Sequence, residues 1–431
     1  MSKKVKKILI IILFLLVILG LALLLYSLFF RAEPEITPAP PEKEEPGEIS
    51  RPKLPVTQTE WEQMTIQERI KNDLPVTDWE APEGEKEREE RERLVPQIDD
   101  VAKGGRTWVH PISDERVMEV TLGQDGENSF YYDPNSGYFY KIDKNGNKNK
   151  LSDQKFNNVQ EISWAPTKDR AILKYPDGFQ VMYDFHEEKQ YTLPKNWQDF
   201  SWGPAGGRIV FKSMGEYPEN TWLAIARPDG SQANPIAHMG DNADKVTVSW
   251  SPNNQIVAFS TTGEPRGAWE QEVLLIGKNE ENFKSIIVDG RGFEPKWSPD
   301  GENIAYSVYS DLDKYQPHLY IIGAKPGSIG KNKIDTGLNT WSEKCAFNNG
   351  GSKLYCAVPR DLPDGSGLVE ELGENTRDDF YEINVNTGEV MFLAEGAMGG
   401  RDIKDIYVSS DDSILYFMDE NTNRLRYIQL K

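Results

Sequence analysis

The four histidines and two cysteines are the residues of this 431-residue chain best suited to acid–base, metal or redox chemistry. His110, His186, His238 and His318 are scattered and show no H-E-x-x-H spacing, and Cys345 and Cys356 form no C-x-x-C, so no zinc pattern is present. A serine hydrolase of the α/β type needs its nucleophile on a tight G-x-S-x-G turn beside an oxyanion hole, and the chain has no such turn. Two acidic turns, Asp143–Asn147 and Asp419–Asn423, offer oxygen ligands at short spacing, but neither runs on to the bidentate glutamate of a calcium loop. Asp, Asn and Gly at such places also make ordinary hairpin turns. No catalytic, cofactor or metal residue is assigned on these grounds.

What carries these residues is a repeat. Glu294–Val308, EPKWSPDGENIAYSV, has alternating apolar positions on either side of a Ser-Pro-Asp-Gly turn, the pattern of a β-hairpin. Weaker copies begin at Glu119, Glu161, Asp199, Thr247, Lys344 and Asp405. Their anchors are Leu122, Trp164, Trp202, Trp250, Trp297, Phe347 and Val408, at spacings of 42, 38, 48, 47, 50 and 61. Four-stranded propeller blades recur at roughly 40–50 residues, and one blade alone cannot bury its faces. The expected fold is therefore an all-β propeller over 101–431 with seven blades, six or eight remaining open because the first and last copies are degenerate. The last copy has room for three strands, so a strand from 106–112 is expected to complete it and close the ring.

The repeated W-[SAG]-P-x-x-x-x-[IV]-x-[FY] pattern, plainest at Trp297-Ser298-Pro299 and Trp250-Ser251-Pro252, resembles the TolB-type, WD-repeat-like blades of bacterial and archaeal proteins. The resemblance covers 117–431 and implies a fold rather than an activity, because similar blades serve scaffolds and proteases alike. It departs from TolB in lacking a recognisable N-terminal α/β domain and in carrying a membrane anchor.

That anchor is read from Ile8–Phe30, an uncharged run of 23 residues, preceded by Lys3, Lys4, Lys6 and Lys7. Such a run crosses a bilayer, and the lysines place the N-terminus in the cytoplasm and the rest outside a cytoplasmic membrane, as a single-pass protein. The competing reading, a cleaved signal peptide, fits less well, because the run exceeds an ordinary h-region and ends Tyr26-Ser27-Leu28-Phe29-Phe30. Residues 31–58 hold seven prolines among many glutamates and read as an extended spacer. Over 59–100, capping-box spacings at Thr59/Glu62 and Thr65/Glu68 predict a short helix near 60–72, followed by the charged run Glu83–Arg93.

Hairpin symmetry sets Cys345 opposite Cys356, and the equivalent pairs elsewhere are Val120 with Tyr131, Ile162 with Leu173, Phe200 with Phe211 and Val248 with Phe259. Opposed cysteines outside the membrane suit a structural disulfide; reduced buried thiols are the alternative. Residues 31–431 carry 45 basic and 69 acidic side chains, a net charge of −24 that disfavours nucleic acid and anionic lipid.

The long insertions 213–220, 261–270, 310–316 and 359–378 follow the second strand of their blades and so share one rim of the ring. This is expected to bring Tyr217, Arg266, Trp269 and Tyr315 near one another, as recognition residues or packed beneath their own loops. With Asp364-Gly365-Ser366-Gly367 in it, the longest insertion is expected to be mobile. The function that follows is a non-catalytic scaffold for an envelope protein or peptide, with no cofactor. The alternative is an envelope hydrolase, lyase or carbohydrate-binding module using the rim or channel. Carboxylates clustered in the channel would mark the second; an apolar plug would mark the first.

Overall fold

Alternation of apolar and polar residues around seven tight turns builds seven sheets, whose strands pair in chain order within each sheet apart from two short N-terminal strands. The computed structural model describes Met64 and residues 98–431, apart from Pro265, Glu280, Asn282 and 396–401. The expected anchor, spacer and charged run, and all of the helix near 60–72 but Met64, lie outside the described residues. The result is an all-β, seven-bladed propeller. The inner strands of blades 1 to 7 are Met118–Leu122, Glu161–Trp164, Trp197–Trp202, Val246–Val248, Arg291–Trp297, Cys345–Phe347 and Ile403–Val408.

Each apolar cluster of the core lies between two neighbouring blades. Between blades 1 and 2, for example, Tyr132 and Phe139 meet Leu173 and Tyr183, and between blades 5 and 6 Ile321 meets Leu354 and Ile383. The turns explain the Ser-Pro-Asp-Gly motif. Ser298 Oγ donates to Asp300 Oδ1 at 2.6 Å and accepts the Asn303 N–H at 2.9 Å, while Gly301 takes φ +70°. A side chain at Gly301 would also stand 2.9 Å from the Asn253 nitrogen, so the blade 4 and blade 5 turns interlock only around glycine.

The ring closes across the chain ends, but not with one strand. Gly105–Arg106 runs parallel to Val390–Glu395 on the edge of blade 6, and His110–Pro111 pairs antiparallel with Arg424–Gln429 as the fourth strand of blade 7. The expected strand over 106–112 is thus divided. Its Trp108–Val109 step carries the chain from one blade to the next, and Pro111, lacking an N–H, suits the edge.

Hairpin registers follow symmetry only in part. Ile162 stands opposite Leu173 and Cys345 opposite Cys356. Bulges interrupt the ladders of blade 1 between Met118 and Thr121 and of blade 3 between Gln198 and Ser201, while in blade 4 Thr247, rather than Val248, opposes Phe259. The two cysteines are fully buried, 4.0 Å apart at Cα, and joined by a disulfide in the core between blades 5 and 6. Replacing both by alanine is expected to cost about 2–3 kcal/mol, read as a shift in the urea midpoint at constant slope.

Candidate functional site

One position recurs at or just before the inner strand of all seven blades. Three residues before each anchor stand Glu119, Glu161, Asp199, Thr247, Glu294, Lys344 and Asp405, so five blades of seven offer a carboxylate there. Local backbone aims several of them. Glu119, Asp199 and Asp405 take φ of 51°, 53° and 49° within the bulges of their strands, and a bulge of this kind redirects a side chain out of the ladder.

Contacts between blades then hold the ring. Trp164 Nε1 donates to the Glu119 carbonyl at 2.8 Å and Trp202 Nε1 to the Ser163 carbonyl at 3.1 Å. The Trp250 N–H donates to Ser201 Oγ at 2.9 Å, Ser342 Oγ to the Glu294 carbonyl at 2.8 Å, and Tyr407 Oη to the Val120 carbonyl. Two anchors, Trp164 and Trp202, therefore use their indole N–H to fix the strand that presents the neighbouring acid.

Among the described residues this mouth of the channel is charged. A hollow of about 280 Å³ is lined by Glu119, Glu161, Asp199, Lys174 and Gln180, and one of about 170 Å³ by Lys296, Glu343, Lys404 and Asp405. A third, of about 200 Å³, is lined by Lys344, Glu370, Glu371, Glu374, Asp402 and Lys404. Glu161 is paired with Lys174 at 2.7 Å and Asp199 with Lys212 at 2.6 Å. Among the described residues no cation pairs with Glu119 or Glu294.

Desolvation, then the like charges of Asp405 and Glu161, pushes the Glu119 carboxyl up to about 7. Glu294 is open to solvent yet flanked by protein; desolvation, then Glu343 and Glu370, likewise pushes it up to about 7. Asp405 is raised to about 6 by burial, against the 3.1 Å hydrogen bond it accepts from the Val120 N–H. A carboxyl raised in the folded state binds a proton that the unfolded chain has already lost. Stability from these groups is therefore present near pH 4.5 and is lost as pH rises towards 7. Glu119→Gln is expected to raise the urea midpoint at pH 8 and to leave it nearly unchanged at pH 5.

Of the four rim residues expected together, the structure joins two. Trp269 and Tyr315 meet edge to face with centroids 5.5 Å apart. Tyr217 stands 57% exposed beside its own short helical turn Pro218–Asn220, and Arg266 is exposed, its charge acting on Glu272 rather than joining the aromatic pair. The longest insertion, expected to be mobile, is tied down. The Gly365 N–H donates to the Lys314 carbonyl at 2.9 Å and the Gly367 N–H to the Tyr315 carbonyl at 2.7 Å. Gly367 permits this approach, since a Cβ there would lie 2.6 Å from that of Tyr309. Locked together, loops 310–316 and 361–374 leave apolar side chains in water: Leu312 is 88% exposed, Leu368 55%, and Val369 and Leu372 47% each.

The two acidic turns, expected to be hairpin turns rather than calcium loops, hold their carboxylates in internal contacts. Asp143 Oδ1 accepts the N–H groups of Asn145 and Asn147 at 2.9 Å each, and Asp419 faces Arg426 at 3.2 Å. Among the described residues no group of three His, Cys, Asp or Glu side chains is placed to hold a metal ion. Of the histidines, His318 is buried between Asp313 and Asp335 at 2.9 and 2.6 Å, and His110 stacks on Tyr427 at the closure. A hollow of about 700 Å³ lies near the turns of blades 3 and 4 beside Gly203, Trp250 and Asn279; among the described residues its ionisable lining groups are Arg208 and Lys278.

No family model and no curated protein matches the sequence. Solved structures do match. An oligogalacturonate lyase in complex with manganese aligns with a TM-score of 0.50 at 14% identity, over 75% of this chain and 90% of that one. What they share is the propeller. The β-propeller domain of Cps50 (Swd1) from Myceliophteria thermophila aligns at 0.51 and 11% identity, over 75% of this chain and 100% of that one. TolB from Acinetobacter baumannii aligns at 0.39 and 12%, over 65% and 63%. Identities this low carry the fold alone.

Proposed function

We propose that this protein is a binding scaffold of the cell envelope, held outside the cytoplasmic membrane by Ile8–Phe30, whose loop-bearing face receives a protein or peptide. The observation that supports it is the exposed apolar surface of Leu312, Leu368, Val369 and Leu372 on two loops fixed to each other by backbone hydrogen bonds. Side chains of this kind held in water by ordered loops suit recognition, because little loop entropy remains to be lost on docking. The test is in-cell crosslinking of the full-length chain, wild type against Leu312→Ser/Leu368→Ser/Leu372→Ser. A defined partner whose recovery falls about tenfold or more in the variant, at unchanged fold, supports the scaffold. Recovery of that partner undiminished removes the rim from the reading.

A second reading, an envelope hydrolase, lyase or sugar-binding module, is favoured by the charged channel mouth, where an apolar plug would have favoured the scaffold. Glu119 and Glu294, held at about 7, stand where a carboxyl can give or take a proton at neutral pH. Turnover of envelope glycans or peptides that falls about a hundredfold in Glu119→Gln or Glu294→Gln would establish it; turnover indifferent to both sinks it.

A further inference from the structure

The loops that leave apolar side chains in water are also strongly acidic. Residues 311–316 and 360–377 together hold seven carboxylates against Lys314, Arg360 and Arg377. Two of those cations are already engaged. Arg360 grips Asp379 through Nε and an Nη nitrogen at 2.7 and 2.6 Å, and Lys314 lies 3.7 Å from Asp364. Leu372 shares the short helical turn Glu370–Gly373 with Glu370 and Glu371, and Glu374 follows directly. Gly365 lies 3.9 Å from Leu372 Cδ1, measured from where its Cβ would be, so this acidic turn is continuous with the apolar loop. Glu370 crowds Glu343 and Glu371, and burial followed by those like charges raises its carboxyl.

We infer that the segment received by this face is basic and amphipathic, its apolar side chains resting on Leu312, Tyr315, Leu368 and Leu372 and its lysines or arginines set against Glu370, Glu371 and Glu374. The inference rests on the rim reading and adds the chemistry of the partner. Apolar contact supplies affinity there, and the surplus of like charge supplies the choice between partners, since an acidic segment meets repulsion at every one of the three glutamates. Because these carboxylates face solvent, the preference falls with ionic strength.

The test uses the full-length chain in detergent, carrying a photo-crosslinking side chain in place of Leu368. Three 14-residue peptides serve as probes: leucine and lysine with leucines at helical spacing, the same pattern with glutamate for lysine, and the leucine–lysine composition scrambled. The ordered basic peptide is expected to crosslink about tenfold more than the acidic one, and Glu370→Gln/Glu371→Gln/Glu374→Gln to remove most of that difference. Equal yields for basic and acidic peptides, or a triple variant that behaves as wild type, overturn the inference. A scrambled peptide as good as the ordered one overturns its amphipathic half. No crosslink to any peptide while the in-cell partner still maps to the rim overturns the basic-segment inference and leaves the scaffold standing. Loss of the in-cell rim crosslink as well removes the scaffold.

Discussion

Val109→Asp combined with Ile112→Asp is expected to open the ring at its closure and to cause a large loss of stability. The two residues straddle blade 7. Val109 is buried in the cluster of Phe380, Ile403 and Phe417 between blades 6 and 7, and Ile112 in that of Tyr131, Tyr416 and Leu425 between blades 7 and 1. Burying two such side chains contributes about 3–6 kcal/mol, before the cost of placing a carboxylate in either cluster. The ladder goes with them. The Ile112 N–H donates to the Leu425 carbonyl at 3.0 Å, and Ser113 Oγ accepts the Leu425 N–H at 3.0 Å. Once the strap leaves, Arg424–Gln429 becomes an open edge available to another chain. The expected results are a urea midpoint lowered by the equivalent of about 3 kcal/mol or more, lost hydrogen-exchange protection over 424–429, and concentration-dependent association. A loss below about 1 kcal/mol would show that closure rests instead on the turns, where Gly126 is pressed against Ser410.

Much of this architecture was legible as spacing. The anchors Trp164, Trp202, Trp250, Trp297 and Phe347 each mark the inner hairpin of one blade, because a local turn motif and its flanking alternation are properties of contiguous residues. Registers were less legible. Bulges at Glu119 and Asp199 insert residues that alternation cannot reveal, and in blade 4 the ladder slips by one residue beside Trp250, between the Ser249–Val257 and Ser251–Ile256 hydrogen bonds. The ring of acids was printed in the repeats, at the first residue of the copies beginning at Glu119, Glu161, Asp199, Glu294 and Asp405. A reading tuned to apolar alternation passes over such a column. Only the closed ring brings Asp405 and Glu161 close enough to add to the burial that raises Glu119's affinity for a proton. The order of the 359–378 insertion was not legible at all. Asp-Gly-Ser-Gly is a flexible composition in isolation, and what orders it is a pair of hydrogen bonds to the loop of the preceding blade.

Lys344 is the one member of that ring with a positive charge, and Lys344→Met is expected to destabilise the protein by about 3–5 kcal/mol. Its ammonium is 3% exposed and lies 3.1 Å from Asp378 Oδ2 and 3.0 Å from Asp402 Oδ1. Asp378 is fully buried, and the same Oδ2 accepts the Ile403 N–H at 2.7 Å, so one carboxylate joins the third strand of blade 6 to the inner strand of blade 7. Methionine can fill the space of the lysine stem but removes the ammonium that bridges the two acids, and burial already raises the Asp378 carboxyl. Protonation of Asp378 relieves the loss. The variant's deficit should therefore be largest at pH 8 and shrink towards pH 5, because a carboxyl raised further in the folded state favours folding only while it holds its proton. Adding Asp378→Asn removes one of the stranded charges while keeping an acceptor for Ile403. The double variant should recover part of the loss, a coupling that urea midpoints of the two single variants and the double will measure. A deficit that is independent of pH and unrelieved by Asp378→Asn would mean that Lys344 contributes by packing against Trp341 rather than by charge.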